Sequence, residues 1–420
     1  MSASRLSTYW QRVAVVFSGA AIAQAIPVLG SLWIARLYVP AEFGTFAAWY
    51  GISLVVNLLL SARLEAAFGL ARDGEERGRL VAVTVLIVLS MGIPLGLTVG
   101  LLMPVLADEI FGLPRFMCYW LVPMSICAAL SVIWQAWAAN NGQVRVLNVV
   151  RLVQAGMVTV LQIIAAWVSS SALSLAIAQI IGTMVAVAVA AWLLPVWNFW
   201  PKSFLAARAL LSETWKKYWR FPLFAMPSDI INTSASQLPV IILGMRYGGD
   251  VAGCFALAVR TMGAPLAVLG GAVRDVFIRD AGVEMRAHGN CKQVYQRTFK
   301  VLAILSVGLV LVTVGLAEPA FVLLFGESWH LAGTIAVWLV PLFALRFIAS
   351  PLSYTFFLVQ KQNIDLIWQC ALLVMVVSAL YGFDTYQMTL VAYGCGYASM
   401  YIVYLVLSRR YSRLSSILTS

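Results

Sequence analysis

The sequence has few charged residues for its length. Asp, Glu, Lys and Arg together make up 11% of its 420 residues, whereas 62% are hydrophobic. A soluble protein needs a more polar surface, so this composition excludes a water-soluble globular protein. The sequence also lacks a GxxxxGK[ST] phosphate loop, and no polar connection is long enough for a nucleotide-binding domain or a glycosyltransferase catalytic loop. We therefore expect neither ATP hydrolysis nor an enzyme.

Metal-binding and redox residues are equally scarce. The six cysteines form no CxxC pair, and the two histidines, His288 and His330, are far apart in sequence. Isolated cysteines in apolar segments behave as small packing residues. We expect no metal site and no cofactor.

Long apolar runs are abundant. Twelve runs come close to the roughly 20 residues that a helix needs to cross the hydrocarbon layer. The first follows Met1–Arg12 and is longer than a signal peptide's apolar region, so we expect an uncleaved span. The sequence predicts an all-α polytopic membrane protein with spans at 13–35, 44–68, 80–105, 116–139, 146–168, 172–197, 221–244, 251–273, 301–322, 331–357, 364–382 and 387–407.

The distribution of Lys and Arg predicts the orientation. These residues are concentrated at the N-terminus and in the even-numbered connections, including Arg151 and the basic connection 274–300, while the opposite side has Arg36, Arg115 and Arg246. The positive-inside rule therefore places both termini in the cytoplasm. The net charge of +11 reflects this asymmetry and does not indicate nucleic-acid binding.

The chain contains a sparse internal repeat. An offset of 209 residues aligns Tyr38 with Tyr247, Gly44 with Gly253 and Phe46 with Phe255. The repeat recurs six spans later, which predicts two parallel six-helix lobes around a central cavity. We expect lobes at 1–197 and 221–420, joined by an amphipathic cytoplasmic linker at 198–220.

Several prolines lie inside predicted spans. Pro27 is in the first span, and Pro227 and Pro239 are in the seventh, its counterpart in the repeat. Each proline removes a helix hydrogen bond and permits bending, so these residues are candidate hinges for gating. The alternative is that they reflect only the general tolerance of membrane helices for proline.

Charged residues inside the spans are the candidate functional residues. A 3.6-residue period separates Arg63 and Glu65 by roughly 200°, so we expect at least one of them to find a partner elsewhere. The other ionisable residues at membrane depth are Asp229, Arg260 and Arg346. Such residues normally face a cavity or a neighbouring helix.

This set has more arginines than acids, which favours an anionic passenger. Arginine donates paired hydrogen bonds to phosphate and stays charged. Amides in the spans, such as Gln24 and Asn57, are candidate ligands for sugar hydroxyls. The alternative is that these amides only join helices to one another.

Two segments resemble a known family. The sequence ARLYVPAEFGTFA at 35–47, followed by Arg63-Leu64-Glu65-Ala66-Ala67, resembles the opening of Wzx-type bacterial oligosaccharide flippases. These belong to the MOP superfamily, which also contains lipid II flippases and MATE drug exporters. Arg63 and Glu65 match the arginine and glutamate of that motif, while Arg36 and Glu42 match a turn expected to be structural.

The resemblance implies a function in the bacterial inner membrane. The expected substrate is an undecaprenyl-diphosphate-linked oligosaccharide, translocated by alternating access for O-antigen, capsule or exopolysaccharide assembly. The lipid bilayer is an expected partner, and polysaccharide polymerase or export machinery is a candidate one. Two alternatives remain: a MATE-like cation-coupled antiporter that uses Glu65 or Asp229, and a non-transporting scaffold of a polysaccharide assembly complex.

Overall fold

A computed structural model describes residues 22–72, 74–102, 109–110, 113–359 and 362–413. The expected uncleaved start at Met1–Arg12, and the first residues of the span at 13–35, lie outside these ranges. Within these ranges each of the predicted spans overlaps a helix, and residues 103–105 of the third span also lie outside them. The helices are α1 (Ile22–Leu37), α2 (Pro40–Ser61), α3 (Glu75–Leu102), α4 (Arg115–Cys118), α5 (Leu121–Asn140), α6 (Val144–Val168), α7 (Ala172–Leu193), α8 (Phe204–Tyr218), α9 (Met226–Tyr247), α10 (Gly249–His288), α11 (Lys292–Phe325), α12 (His330–Leu352), α13 (Thr355–Leu358), α14 (Gln362–Tyr381) and α15 (Tyr386–Tyr411).

The protein is an all-α, multi-pass membrane protein. Within the described ranges, nine helical segments are long and apolar enough to cross a bilayer, and α1 and α14 contain shorter apolar helices. The strands found there form one small antiparallel hairpin, β1 (Glu109–Ile110) with β2 (Leu113–Pro114), in which Glu109 pairs with Pro114.

Local sequence explains where the helices begin and end. Pro40 occupies the first turn of α2, where its missing N–H is not needed. Ser171 and Thr385 cap α7 and α15, because each side chain accepts a hydrogen bond from a backbone N–H three residues later. Gly289 follows α10 with φ 70°, a conformation that glycine adopts without steric cost.

The basic segment 274–300 differs from the expected loop. Helix α10 continues to His288 and α11 starts at Lys292, so only a short turn separates the two helices. The segment contains no proline, and its charged side chains are compatible with helix, which is why both helices extend beyond their apolar stretches.

The chain forms two compact units, Met1–Met245 and Arg246–Ser420. The apolar core of the first unit includes Phe68, Val81 and Trp137. That of the second includes Phe277, Tyr295 and Phe356. The first unit includes most of α9. The linker at 198–220 contains α8, and its role as the boundary between two six-helix lobes remains a prediction.

The internal repeat has a structural counterpart in each unit. The hydroxyl of Tyr38 donates to the backbone oxygen of Gln162 at 2.9 Å and lies 3.3 Å from Ser174 Oγ. The hydroxyl of Tyr247 likewise donates to Phe383 O at 2.7 Å and lies 2.7 Å from Thr389 Oγ1. Each tyrosine precedes a long helix, and its hydroxyl lies near the first turn of another helix of its unit, α7 for Tyr38 and α15 for Tyr247.

Candidate functional site

The backbone around Arg63 departs from the predicted helix. Helix α2 ends at Ser61, and Ala62 and Arg63 adopt φ values of 49° and 58°. Among the described residues, these are the non-glycine positions with positive φ. This left-handed conformation costs roughly 1–2 kcal/mol per residue, so the surrounding structure must stabilise it. A 3₁₀ segment, Leu64–Gly69, follows.

This turn brings Arg63 and Glu65 together. Arg63 Nη1 donates to Glu65 Oε1 at 3.0 Å. The expectation that the two side chains point apart was wrong, because it assumed a continuous helix from 44 to 68. The left-handed residues end that helix before the charges, so helical periodicity does not apply to them.

Arg63 also has a second acidic partner. Its Nε donates to Asp229 Oδ2, on the first turn of α9. The side chain of Glu65 is 3% exposed, while those of Arg63 and Asp229 are 30% and 32% exposed. We call Arg63, Glu65 and Asp229 the charged cluster. It holds one positive and two negative groups within the first compact unit.

Glu65 has an unused acceptor. Its Oε2 is buried and has no hydrogen-bond partner among the residues that the structure describes. A buried carboxylate oxygen without a donor costs free energy. The charged cluster therefore has the chemistry to accept a proton or a small cation at Glu65.

The remaining predicted residues lie elsewhere. Asn57 is buried and donates from Nδ2 to Leu54 O of its own helix at 2.8 Å. Gln24 is exposed on α1, and Arg260 is half-buried on α10. Arg346 is exposed on α12, and its charge interacts with the hydroxyls of three tyrosines on α15: Tyr393, Tyr397 and Tyr401.

The candidate hinge prolines have different surroundings. Pro27 is half-buried within α1, Pro227 is exposed in the first turn of α9, and Pro239 is buried inside α9. A π-helical turn, Phe221–Ala225, directly precedes α9. The wider turn is a local departure from regular helix, and hinging at these prolines remains a prediction.

Comparison with known families identifies the chain. The family described as "Polysaccharide biosynthesis protein" matches residues 33–333, most of the sequence. The chain belongs to this polysaccharide biosynthesis family. The matched region contains the charged cluster and Arg260, whereas Arg346 lies beyond it. Among curated proteins, none matches this sequence.

Solved structures share the fold of this polysaccharide biosynthesis protein. A lipid II flippase MurJ in an inward closed conformation is similar with a TM-score of 0.74 and 11% identity, over 94% of this chain and 87% of that one. An inward-facing multidrug resistance MATE family transporter of the MOP superfamily has a TM-score of 0.69 and 16% identity, over 95% and 99%. A MOP superfamily transporter from Pyrococcus furiosus has a TM-score of 0.57 and 14% identity, over 94% and 95%. At these identities the similarity establishes the fold.

This polysaccharide biosynthesis protein has a buried arginine whose sequence position, in a basic connection, gives no sign of its burial. Arg77, on the first turns of α3, is 5% exposed. Its guanidinium donates to four oxygens: Phe68 O at 2.9 Å, Ala71 O at 3.1 Å, Asn140 O at 2.8 Å and Asn141 Oδ1 at 2.8 Å. It satisfies carbonyls at the end of α5 and around the 3₁₀ segment, which lies beside the charged cluster.

Glu42 has a capping role in the same unit. Its Oε2 accepts a hydrogen bond of 2.5 Å from the backbone N–H of Ala172, the first residue of α7. A carboxylate at a helix N-terminus satisfies a free N–H and complements the helix dipole. This contact supports the structural role expected for the turn that contains Glu42.

Arg151, one of the basic residues that flank a connection, lies within α6, seven residues after its first residue, Val144. The signal that could have identified it is its position after the apolar residues Val146 and Leu147, inside the span. Its Nε donates to Gln135 Oε1 on α5 at 3.1 Å.

Proposed function

We propose that this protein is a flippase that translocates an undecaprenyl-diphosphate-linked oligosaccharide across the bacterial cytoplasmic membrane by alternating access. Its role is transport, not catalysis, and it serves surface polysaccharide assembly. Membership of the polysaccharide biosynthesis family and the fold shared with MOP superfamily transporters support this assignment.

The observation that carries the proposal is the division of charge. Both acids predicted within the spans, Glu65 and Asp229, bind Arg63. Within the described part of the chain, Arg151 and Arg346 have no carboxylate partner. An arginine without a counter-charge at membrane depth is costly and normally serves a functional site. These arginines therefore suit an anionic passenger.

A diphosphate is a passenger of the right chemistry. Moving it bare through hydrocarbon would face a cost of tens of kcal/mol by ideal Born solvation, so its passage needs water and arginine donors. The polyprenyl tail needs no such route because it is soluble in lipid. Outward movement of negative charge also follows an inside-negative potential, with about 2.3 kcal/mol per charge per 100 mV.

The proposed site implies a location and partners. The distribution of basic residues supports cytoplasmic termini, and the proposed substrate is then loaded from the cytoplasmic leaflet of the inner membrane. The lipid-linked oligosaccharide is the ligand, the bilayer holds its tail, and polysaccharide polymerase or export machinery would receive the product.

Genetic complementation tests this function. A deletion strain is supplied with wild type, Arg151→Ala, Arg346→Ala or the control Arg145→Ala, an exposed arginine in the first turn of α6. We expect the first two variants to lose surface polysaccharide and to accumulate lipid-linked oligosaccharide on the cytoplasmic face. The control should retain polymer, and membrane protein levels should be equal in all strains. Normal polymer in every variant would reject the arginine-based site.

A second candidate function is cation-coupled antiport. The buried Oε2 of Glu65 favours it, because an unpartnered carboxylate oxygen is a natural acceptor for a proton or cation. Glu65→Gln distinguishes the two functions. In an antiporter this variant should abolish transport that is driven by a proton or sodium gradient, whereas a flippase that relies on Arg151 and Arg346 should still support surface polysaccharide.

A further inference from the structure

A polar network joins α5 and α6 inside the first unit. Ser131 Oγ donates to Gln154 Oε1 at 2.9 Å, and Gln135 Nε2 lies 3.0 Å from Ser131 Oγ and 3.1 Å from Gln154 Oε1. Arg151 Nε donates to Gln135 Oε1 at 3.1 Å. These four residues form what we call the α5–α6 network.

The network carries a positive charge that the protein does not neutralise. Arg151 has no ion pair with any carboxylate in the described ranges, and its partner in the network is a neutral amide. It lies seven residues after Val144, the first residue of α6, which is roughly 10 Å along the helix axis. At that depth the network is not explained by helix-to-helix contact alone, because an uncharged side chain would make the same contact at lower cost.

Several N–H donors of the α5–α6 network have no acceptor among the described residues. Arg151 uses Nε on Gln135, so Nη1 and Nη2 have no acceptor among the described residues. Gln154 accepts through Oε1 from both Ser131 and Gln135, while its Nε2 has no acceptor within the same ranges. The unsatisfied groups are thus N–H donors, one of them cationic. An anion with several oxygens satisfies such a set, and a phosphate matches the guanidinium fork.

We propose that Arg151, positioned by Gln135, binds the phosphate group of a membrane lipid, with Gln154 as a second donor. The phosphate belongs either to the prenyl diphosphate of the transported lipid or to a bulk phospholipid headgroup. The first source rests on the proposed function, whereas the second does not. Gln135 acts as a positioning residue, because it holds Nε and leaves the terminal nitrogens to the ligand.

Binding to purified full-length protein tests this site. The protein is placed in phosphatidylcholine nanodiscs, and native mass spectrometry measures retention of added undecaprenyl diphosphate or added phosphatidylglycerol. The variants are Arg151→Gln, Gln135→Glu and the control Arg145→Gln, which removes the same charge from an exposed position of α6. Gln135→Glu preserves the side-chain shape and supplies Arg151 with an internal carboxylate.

The proposal predicts a specific pattern. Arg151→Gln should weaken the binding of one of the two lipids by about tenfold or more, because it removes one charge-assisted pair of hydrogen bonds. Gln135→Glu should also weaken the binding of that lipid, since the new ion pair with Arg151 competes with the ligand. The same ion pair should leave the melting temperature of the protein equal or raise it. The control should bind as wild type does. The lipid that responds identifies the source of the phosphate.

Two results separate failure of the site from failure of the function. Equal retention of both lipids by wild type, Arg151→Gln and Gln135→Glu would overturn the proposal, and Arg151 would then serve only packing. If Arg151→Gln does not fold, the Gln135→Glu result decides the matter. Arginine-dependent binding of phosphatidylglycerol alone, with normal polymer even in the uncomplemented deletion strain, would support the site and reject the flippase function.

Discussion

Arg63 and Asp229 are 166 residues apart in sequence, and the guanidinium Nε of one donates to the carboxylate of the other. This contact joins the end of α2 to the start of α9. Both contacting residues lie in the first compact unit, although 221–244 was expected to open the second lobe. Arg63 binds Glu65 as well, which makes it the centre of the charged cluster.

A double-mutant cycle should detect this pair. Both side chains are about one-third exposed, so solvent screening limits the interaction, and we expect a coupling free energy of about 1 kcal/mol between Arg63→Gln and Asp229→Asn. Thermal unfolding in detergent of the four proteins measures it. The same cycle with Arg145→Gln in place of Arg63→Gln should give additive effects. Additive effects for the first cycle would mean that the pair contributes nothing to stability.

The left-handed turn predicts opposite effects of two substitutions at Ala62. Ala62→Gly should leave the free energy of unfolding unchanged or raise it by up to about 1 kcal/mol, because glycine adopts φ 49° without strain. Ala62→Val should lower it by about 1–2 kcal/mol, since a β-branched side chain is disfavoured there. As a control, Ala47→Gly inside α2 should be destabilising by about 1 kcal/mol. A destabilising Ala62→Gly would argue against the left-handed turn.

Replacement of Arg77 should destabilise the protein more than replacement of an exposed arginine. Arg77→Ala removes a buried guanidinium from four oxygen acceptors and leaves those carbonyls without its N–H donors. We therefore expect the free energy of unfolding to fall by about 3–5 kcal/mol. Arg79→Ala is the control, because that side chain is exposed and pairs with Glu75 on the helix surface, and its replacement should lower the free energy of unfolding by less than about 0.5 kcal/mol. Melting temperatures of the two variants measure the difference, and equal values would contradict the capping role.

Two glycines in the α6–α7 pair should respond differently to alanine. A Cβ on Gly182 would lie 2.7 Å from the backbone Cα of Val158, so Gly182→Ala must separate the helices. We expect this substitution to lower the free energy of unfolding by about 1–3 kcal/mol. Gly156 has open space around its Cβ position, and Gly156→Ala should be neutral or stabilising by up to about 1 kcal/mol. Thermal unfolding compares the two, and a tolerated Gly182→Ala would show that α6 and α7 are less closely packed.

Cys291 should be a slow nucleophile. It lies in the turn between α10 and α11, it is fully buried, and burial raises the pKa of its thiol to about 11. At pH 8 only about one thiol in a thousand is then ionised, and labelling by a maleimide should accelerate about tenfold per pH unit until the pH approaches that pKa. A variant with Cys291 as its single cysteine tests this by mass spectrometry. The same protein denatured in detergent should label rapidly, and rapid labelling of the folded protein would exclude a buried thiol.

The sequence by itself determined the class of protein and the approximate positions of its apolar spans. Apolar runs of membrane-spanning length are local properties, so the spans of α3, α6, α7 and α15 could be placed without a structure, whereas the end of α2 at Ser61 and the extension of α10 to His288 could not. The repeat was visible for the same reason, because Tyr38 and Tyr247 occupy matching positions before a helix. The importance of Arg63 and Glu65 was also readable, since charges inside an apolar segment need partners.

Only the tertiary structure decided which partners these charges have. Helical periodicity wrongly separated Arg63 from Glu65, because a left-handed turn interrupts the helix and its stability depends on the packing around it. The choice of Asp229 for Arg63, and of carbonyl oxygens for Arg77, depends on which helices come together. The sequence shows which charged residues need a partner. The partner is the residue that lies close in the folded protein, and hydropathy along the chain contains no information about such distances.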